Sequence, residues 1–226
     1  MINRCTSVVA SATTDLEGKR EELKGKLRTS LEGNIGNLTE EELSIINELS
    51  EITPDSEPAK NLEMVKGGYR LLNSTMPNVL YRGAKLTLGR ATFNMYQPVE
   101  LSMIMHEVYN EVDGGKYYDV YQDVTLEPEG LPTMRAKILN RAEYVLEGDK
   151  RISVEFTESS VTPAEGTDLT VWKKVFKDNP DMEEDGTMKR VFPKGKPGWV
   201  DILYQDQSFR ITKGNFGNIV IVEREA

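Results

Sequence analysis

Regular alternation of apolar and polar residues in the second half of the chain most restricts the fold that this sequence can adopt. It occurs in Tyr117–Glu127, Met134–Asn140 and Arg151–Thr157. Because successive side chains of a strand point to opposite faces, each segment predicts a strand with one buried face. The apolar faces consist of Tyr118, Val120, Val124 and Leu126; of Met134, Ala136 and Ile138; and of Ile152, Val154 and Phe156. A turn signal at Glu147–Lys150, without βαβ alternation in the sequence, predicts an antiparallel sheet.

The C-terminal stretch Gly198–Glu225 carries the most ordered pattern in the chain. Apolar-rich runs at Trp199–Tyr204, Ser208–Thr212 and Asn218–Glu223 predict three further strands. The last run is apolar on both faces. This pattern favours a strand that lies inside a sheet or closes a barrel over a strand at a bare edge.

Short turns join these three strands. A two-residue loop at Gln205–Asp206 would place Asp201 opposite Arg210 as a cross-strand ion pair, whereas another loop length would shift that register. In the second turn, Gly214 and Gly217 suit positions that require a positive φ.

Two helices are predicted before the strands. Thr14–Glu17 and Thr39–Glu42 both fit the capping box, in which a Thr and the Glu three residues later satisfy free backbone N–H groups. The apolar stripes are Leu16, Leu23, Leu27 and Leu31 in the first helix, and Leu43, Ile46 and Leu49 in the second. We expect a helical hairpin that packs on the chain's own core, although the basic Gly18–Arg28 keeps a membrane contact open.

The remaining segments complete the predicted organisation. Helical spacing at Thr167–Phe176 predicts a short helix, and a long polar loop follows it. We therefore divide the chain into a flexible N-terminus (1–14), a helical hairpin with a linker (15–60) and a barrel (61–226) with a polar insertion near 160–198. For residues 1–14 a transit-peptide remnant and a disordered terminus both remain open.

Composition limits the classes of function. The net charge is −9, which argues against nucleic acid as a partner because phosphate binding needs a basic surface. One cysteine excludes an internal disulfide, and a single histidine, His106, excludes a two-histidine metal site. We predict no catalytic residue, no metal and no cofactor.

The C-terminal stretch resembles the signature of the plastid lipid-associated protein family, also called plant fibrillins or plastoglobulins. That signature runs roughly as Asp, Tyr-Leu-Asp, Leu-Arg-Ile, Arg-Gly-Asn-x-Gly and an apolar strand. The matching residues are Asp201, Tyr204, Asp206, Arg210, Ile211, Gly214, Asn215 and Gly217. Upstream, Gly67–Thr75 resembles the start of the family's first strand, with Tyr69 and Asn73 in place of the usual Trp and Tyr.

The resemblance implies a mainly β, lipocalin-like antiparallel β-barrel with an N-terminal helical hairpin, able to hold one small apolar ligand. It also implies non-catalytic binding or shielding of a carotenoid, prenylquinone, fatty acid or thylakoid lipid. The implied location is the chloroplast, at the stromal face of the thylakoid or at the plastoglobule surface; a cyanobacterial origin also remains open. On the predicted inward faces, the candidate ligand-binding residues are Tyr118, Ile138, Val154, Phe156, Ile202, Tyr204 and Phe209.

Two other functions remain open. A barrel of this size can be filled by its own side chains, and the protein would then be a structural or assembly subunit. It would dock on a photosystem or a prenylquinone-synthesis enzyme without a ligand of its own. A weaker alternative is an enzyme that acts on a lipid or a pigment, for which acidic groups would have to meet at the barrel mouth.

Overall fold

A computed structural model describes residues 5–32, 36–76, 83–177, 179–193 and 195–225, with side chains described from residue 15 onward. The helices are α1 (Cys5–Leu31), α2 (Glu40–Glu51), a 3-10 turn (Pro58–Lys60), α3 (Leu62–Val65), α4 (Leu88–Ala91) and α5 (Leu169–Val175). The strands are β1 (Gly67–Ser74), β2 (Lys85–Thr87), β3 (Ser102–Val112), β4 (Tyr117–Glu127), β5 (Met134–Glu147), β6 (Arg151–Pro163), β7 (Met188–Val191), β8 (Gly198–Gln205), β9 (Phe209–Gly214) and β10 (Ile219–Arg224).

The described strands form one antiparallel sheet that closes on itself. Its order is β1-β10-β9-β8-β6-β5-β4-β3, and β1 pairs with β3 as well as with β10. We call this closed part the ring. β2 pairs with β3, and β7 pairs with β6. The mainly β, lipocalin-like fold with N-terminal helices predicted from the sequence is confirmed.

Most predicted strands occupy the expected segments. β4 has the predicted bounds, while β5 and β6 continue beyond the predicted ends to Glu147 and Pro163. β10 lies between β9 and β1, so the prediction that this strand is not a bare edge is confirmed. The segment after α5, predicted to be a polar loop throughout, contains β7. This short strand is held in place by Met188, which is fully buried in the core.

The predicted ion pair between Asp201 and Arg210 is wrong. In the β8–β9 pairing, Asp201 lies opposite Lys213, and a bulge between Ile202 and Tyr204 shifts the register. Asp201 instead accepts two hydrogen bonds from the Arg151 guanidinium on β6, at 2.8 and 3.0 Å. The larger difference lies at the turn, where the Asp206 N–H donates to the Phe209 carbonyl at 3.0 Å, so the two-residue loop is Gln207–Ser208 rather than Gln205–Asp206. Moving the loop by two residues changes each cross-strand partner by four positions, and the bulge reverses one of these four.

The two N-terminal helices pack on the outside of the ring. Leu27, Ile46 and Leu49 are buried against Tyr204 and Phe209 of β8 and β9. Leu16 and Leu43, at the ends of the predicted stripes, are exposed. The docking on the chain's own core that we expected is confirmed. No helix in the described part of the chain is both long enough and apolar enough to cross a membrane.

One of the two predicted capping boxes is present. α2 begins after Thr39, whose side chain accepts from the Glu42 N–H while the Glu42 carboxylate accepts from the Thr39 N–H. The predicted start at Thr14 is wrong, because α1 begins at Cys5 and runs through that position. A helix that continues through a residue uses its backbone N–H internally, which leaves no free donor there for a cap.

We expect Thr39→Ala to lower the free energy of unfolding by about 1 kcal/mol, since a lost N-cap hydroxyl leaves an N–H of the first turn without its acceptor. Chemical denaturation monitored by circular dichroism measures this difference. Thr53→Ala is the matched control, because the Thr53 hydroxyl only contacts the Asp55 carbonyl at 3.4 Å. An equal effect of both substitutions would contradict the capping role.

Candidate ligand-binding interior

One end of the ring interior is filled by segments that lie outside the ring strands. Leu88 and Tyr96 come from the chain between β2 and β3, and Trp172 and Phe176 come from α5 and the residue after it. All four side chains are fully buried. They pack against inward-facing residues of the ring, namely Met103, Met105, Val124, Leu126, Met134, Ala136, Ile138 and Val161.

Hydrogen bonds connect the side chains and backbone of the filling segments to the ring strands β5 and β6. The Tyr96 hydroxyl donates to the Ser159 carbonyl at 2.5 Å, and the Asn140 amide donates to the Ala91 carbonyl at 3.0 Å. Burial raises the pKa of Tyr96 to about 12, so the phenol stays neutral and available as a donor. This end of the interior is therefore closed by defined hydrogen bonds as well as by apolar packing.

A polar belt crosses the interior beyond the filled end. Gln122, Asn140 and Ser159 face inward from β4, β5 and β6, and Asn140 lies directly opposite Ser159. The Gln122 Oε1, Asn140 Oδ1 and Ser159 Oγ atoms are fully buried and have no hydrogen-bond partner among the residues that the structure describes. Buried polar atoms are normally satisfied, so this belt offers hydrogen-bonding positions to water or to a bound molecule.

The other end of the interior is apolar, and several of its side chains are only partly buried. Val112, Ile152 and Ile202 form a buried cluster there with Val65 of α3 and Tyr144. Partly buried side chains extend the same wall, namely Tyr118, Leu146, Val154 and Val200. The Asn110 amide donates to the Tyr118 hydroxyl at 2.8 Å. This end combines an apolar wall with a hydroxyl near its centre.

Two arginines and a tyrosine lie beside this apolar end. The guanidinium carbons of Arg210 and Arg224 are 3.8 and 4.8 Å from the centre of the Tyr69 ring. Arg210 donates to the Val65 carbonyl at 3.0 Å, and Arg224 donates to the carbonyls of Lys66 and Met64 at 2.8 and 2.7 Å. Burial raises the pKa of Tyr69, which keeps its phenol neutral between the two cations.

An aromatic cluster partly opens to solvent. The rings of Phe93 and Phe156 are 5.3 Å apart, and the Phe93 and Phe192 rings are also 5.3 Å apart. Phe93 is 52% exposed, and Val191, next to Phe192, is 74% exposed. Phe93 has a φ of 53°, a left-handed conformation that is uncommon for a bulky residue. An exposed apolar surface held in a strained turn is typical of a contact site.

The predicted ligand-binding residues fall into four places. Tyr118, Val154 and Ile202 meet at the apolar end, whereas Ile138 lies in the filled end. Phe156 belongs to the aromatic cluster. The structure brings together the first three only. Ligand binding by these residues stays a prediction.

Tyr204 and Phe209 lie on the outer face of the ring, packed against the helices. The bulge between Ile202 and Tyr204 explains this placement for β8. Without it, two residues separated by one position would share a face, and Tyr204 would point inward like Ile202.

The signature residue Asp206 joins β8 and β9 to α1. Its carboxylate accepts from the Lys24 ammonium and from the Tyr204 hydroxyl, both at 2.5 Å. It also accepts from the Ser208 and Phe209 N–H groups at 2.8 Å. Burial alone would raise the pKa of Asp206, but the bonds from Lys24, Tyr204 and Ser208 outweigh it, and the pKa is lowered.

The glycines of the signature have two different roles. Gly217 has a φ of 79°, so the predicted need for a positive φ is confirmed there. Gly214 does not have a positive φ; instead, a Cβ at this position would lie 2.6 Å from the Asn218 side chain. Asn215 donates its N–H to the Trp199 carbonyl at 3.1 Å. These residues shape the turn between β9 and β10.

Sequence reasoning missed the polar residues of the interior. Gln122 and Asn140 interrupt apolar faces of predicted strands, and this interruption was a readable signal. Tyr69, Arg210 and Arg224 carried no such signal, because β1 and β10 become neighbours only when the ring closes.

Other surfaces offer less to a ligand. An open groove of about 580 Å³ is lined by Glu147–Arg151 and by Asp201, Ile202 and Leu203, so it borders the apolar end at Ile202. The His106 ring forms a hydrogen bond with the Thr125 hydroxyl at 2.7 Å. Over the described residues, no group of three or more His, Cys, Asp or Glu side chains is placed to hold a metal ion.

Comparison with known proteins places the chain in a family. The family model PAP_fibrillin matches residues 21–223, which is most of the chain. A search of curated proteins finds no match. The matched range includes the second half of α1, α2 and all ring strands except the last residue of β10. The chain therefore belongs to the plastid lipid-associated protein (fibrillin) family, which is associated with plastids.

Proposed function

We propose that this protein binds or shields one small lipophile without transforming it. The candidates are a carotenoid, a prenylquinone, a fatty acid or a thylakoid lipid, taken up at the stromal face of the thylakoid or at the plastoglobule surface. Family membership supports the association with plastid lipids. The proposal adds that the ligand lies inside the ring.

The observation that carries the proposal is the unsatisfied polar belt within an otherwise apolar interior. Gln122, Asn140 and Ser159 each present a buried atom without a partner, next to the apolar wall that contains Val154 and Ile202. Small-molecule sites commonly combine apolar walls with a few polar groups that set the orientation of the ligand. A quinone, hydroxyl or ester group at the belt would use this hydrogen-bonding capacity.

The first experiment is solvent extraction of the natively purified protein, followed by mass spectrometry of the extract. We expect a stoichiometric lipophile. Val154→Trp should reduce its occupancy by about tenfold or more, because the indole would fill the apolar end of the interior. Glu155→Trp is the matched control, since its neighbouring position on β6 points to the other face.

The variants must first show the wild-type circular dichroism spectrum and the same elution volume. Equal occupancy in both variants would contradict an interior site. Absence of any lipophile from the wild type, together with no binding in a titration with the candidate classes, would contradict the proposed function itself.

A second function is favoured by a different observation. One end of the ring is filled by the chain's own side chains, and three apolar side chains are exposed, namely Phe93, Val191 and Phe216. Both features fit a structural or assembly subunit that docks on a photosynthetic complex or a prenylquinone-synthesis enzyme. Mass spectrometry of co-purifying proteins separates the two. A stoichiometric protein partner without a lipophile favours docking, and a stoichiometric lipophile favours binding.

A further inference from the structure

Two cations without an anionic partner among the described residues lie beside Tyr69, namely the buried Arg210 and the partly buried Arg224. Arg210 is 1% exposed, and its guanidinium lies against the same ring as that of Arg224. Across the described ranges, no carboxylate forms an ion pair with either side chain. A guanidinium stays charged at any pH that proteins tolerate, and two like charges repel strongly in a weakly polarisable interior.

The backbone compensates this charge only in part. The acceptors are the carbonyls of Met64, Val65 and Lys66, which supply dipoles but no net negative charge. Two other buried ions in the described part of the chain have a full counter-charge. The Lys24 ammonium is 1% exposed and pairs with Asp206, and the Asp119 carboxylate is 5% exposed and pairs with Arg141. Arg210, by contrast, has a carbonyl dipole as its acceptor, so an anion beside it would offset the cost of burying its charge.

Each of the two arginines beside Tyr69 retains one N–H group that donates no hydrogen bond among the described residues. Arg210 Nη2 and Arg224 Nε are fully buried and have no hydrogen-bond partner within the described part of the chain. Gln205 Oε1 is also unpartnered, but a neutral amide oxygen does not balance the charge. Carboxylates and phosphates match the guanidinium in both charge and geometry, because each of their oxygens accepts from an N–H of the fork.

The position of the arginines relative to the apolar end defines the shape of the missing partner. Val65, whose carbonyl accepts from Arg210, packs its side chain against Val112 and Ile202. The partly buried Tyr118 and Val154 pack against the same apolar cluster. A charged head followed by an apolar chain is the molecule that would contact both surfaces at once.

We propose that Arg210 and Arg224 bind the anionic head group, a carboxylate or a phosphate, of the lipophile held in the ring. The inference rests on the proposed function and narrows its ligand to an anionic amphiphile. Tyr69 acts as the platform that holds both guanidinium groups, through its ring and through a hydroxyl 2.5 Å from Arg224 Nη2.

The test compares ligands that share a tail. The full chain, freed of lipid, is titrated with oleate, with oleyl alcohol and with inorganic phosphate, and dissociation constants are measured by calorimetry. We expect oleate to bind about tenfold or more tightly than oleyl alcohol, since hydrogen bonds to charged groups add at least this much. Inorganic phosphate should bind weakly and should not reach the affinity of oleate.

Variants assign the preference to the arginines. Arg210→Gln should make the dissociation constants for oleate and oleyl alcohol nearly equal. The affinity for oleyl alcohol itself should change little. Arg70→Gln is the matched control, because Arg70 is half exposed on β1 and contacts Glu223. If Arg210→Gln fails to fold, the ratio of the two dissociation constants in the wild-type protein still tests the proposal.

Each outcome separates the two proposals. Equal affinities for oleate and oleyl alcohol in the wild type would overturn the anion site and leave lipophile binding intact. An oleate preference that Arg210→Gln leaves unchanged in a folded protein would also overturn it. Phosphate binding without either lipophile would assign the arginines to a free anion and overturn both proposals, and so would the failure of all three ligands to bind.

Discussion

Replacing Asp206 by alanine is expected to lower the free energy of unfolding by about 3–5 kcal/mol, because the buried Lys24 ammonium would lose its buried counter-charge. Lys24 is 1% exposed, and its remaining ion-pair partner, Glu21, lies largely in solvent. The substitution also leaves the Tyr204 hydroxyl and the Ser208 N–H without their acceptor. Urea denaturation followed by circular dichroism measures the loss.

Asp201→Ala is the matched control for this prediction. Asp201 lies on the same strand and accepts two hydrogen bonds from Arg151, but both side chains are about one-third exposed. Solvent screens such a pair, so its removal should cost a small fraction of the loss at Asp206. An equal loss of unfolding free energy in both variants would show that Lys24 does not remain buried without a counter-charge when Asp206 is absent.

The lowered pKa of Asp206 predicts how the stability of the protein depends on pH. A carboxyl group whose pKa is lower in the folded state stabilises the fold above its ordinary pKa of 3.8, and this contribution disappears as the pH falls through the folded value. The wild-type protein should therefore lose stability below about pH 4 more steeply than Asp206→Ala. Parallel pH profiles of the two proteins would contradict this assignment.

Trp172→Ala is the second large effect that we expect, with a loss of about 3–5 kcal/mol. The indole is fully buried in the filled end of the ring, its ring centre is 4.6 Å from that of Phe176, and its N–H donates to the Gly186 carbonyl at 2.8 Å. Removing it leaves a cavity and an unpaired carbonyl. Chemical denaturation of the purified variant measures the loss.

Leu169→Ala serves as the control on the same helix. Leu169 lies at the first position of α5 and is 37% exposed, so its truncation removes little buried surface. A Trp172→Ala variant no less stable than Leu169→Ala would mean that α5 does not anchor the filled end. Increased amide exchange in β7 of the Trp172 variant would locate the damage, because Met188 packs in the same cluster.

Local patterns predicted much of the secondary structure. The alternation in Tyr117–Glu127 and Arg151–Thr157 and the capping box at Thr39 depend on residues close in the chain. Their physics is local, since side-chain direction follows the strand period and a cap satisfies N–H groups one turn away. The same reasoning explains why α5 was predicted at its observed place after the Asp168 cap.

The candidate site was predicted less well, for reasons that concern sheet register. Ile202 and Tyr204 share one face in a regular strand, and the bulge between them sends Tyr204 to the helices instead. The filling of one end by Leu88 and Tyr96 was not foreseen either, because their segment shows no strand period and no long helical period.

Taken alone, the sequence determined the antiparallel strands, a helical hairpin that packs on the chain's own core and the family, because period, caps and signature residues are properties of short segments. Only the tertiary structure decided which side chains line the interior. Ring closure brings Tyr69 of β1 beside Arg224 of β10 and close to Arg210 of β9. Tyr69 lies far from both arginines in the chain, so the pairing of these two cations with its ring arises from strand pairing rather than from any local pattern.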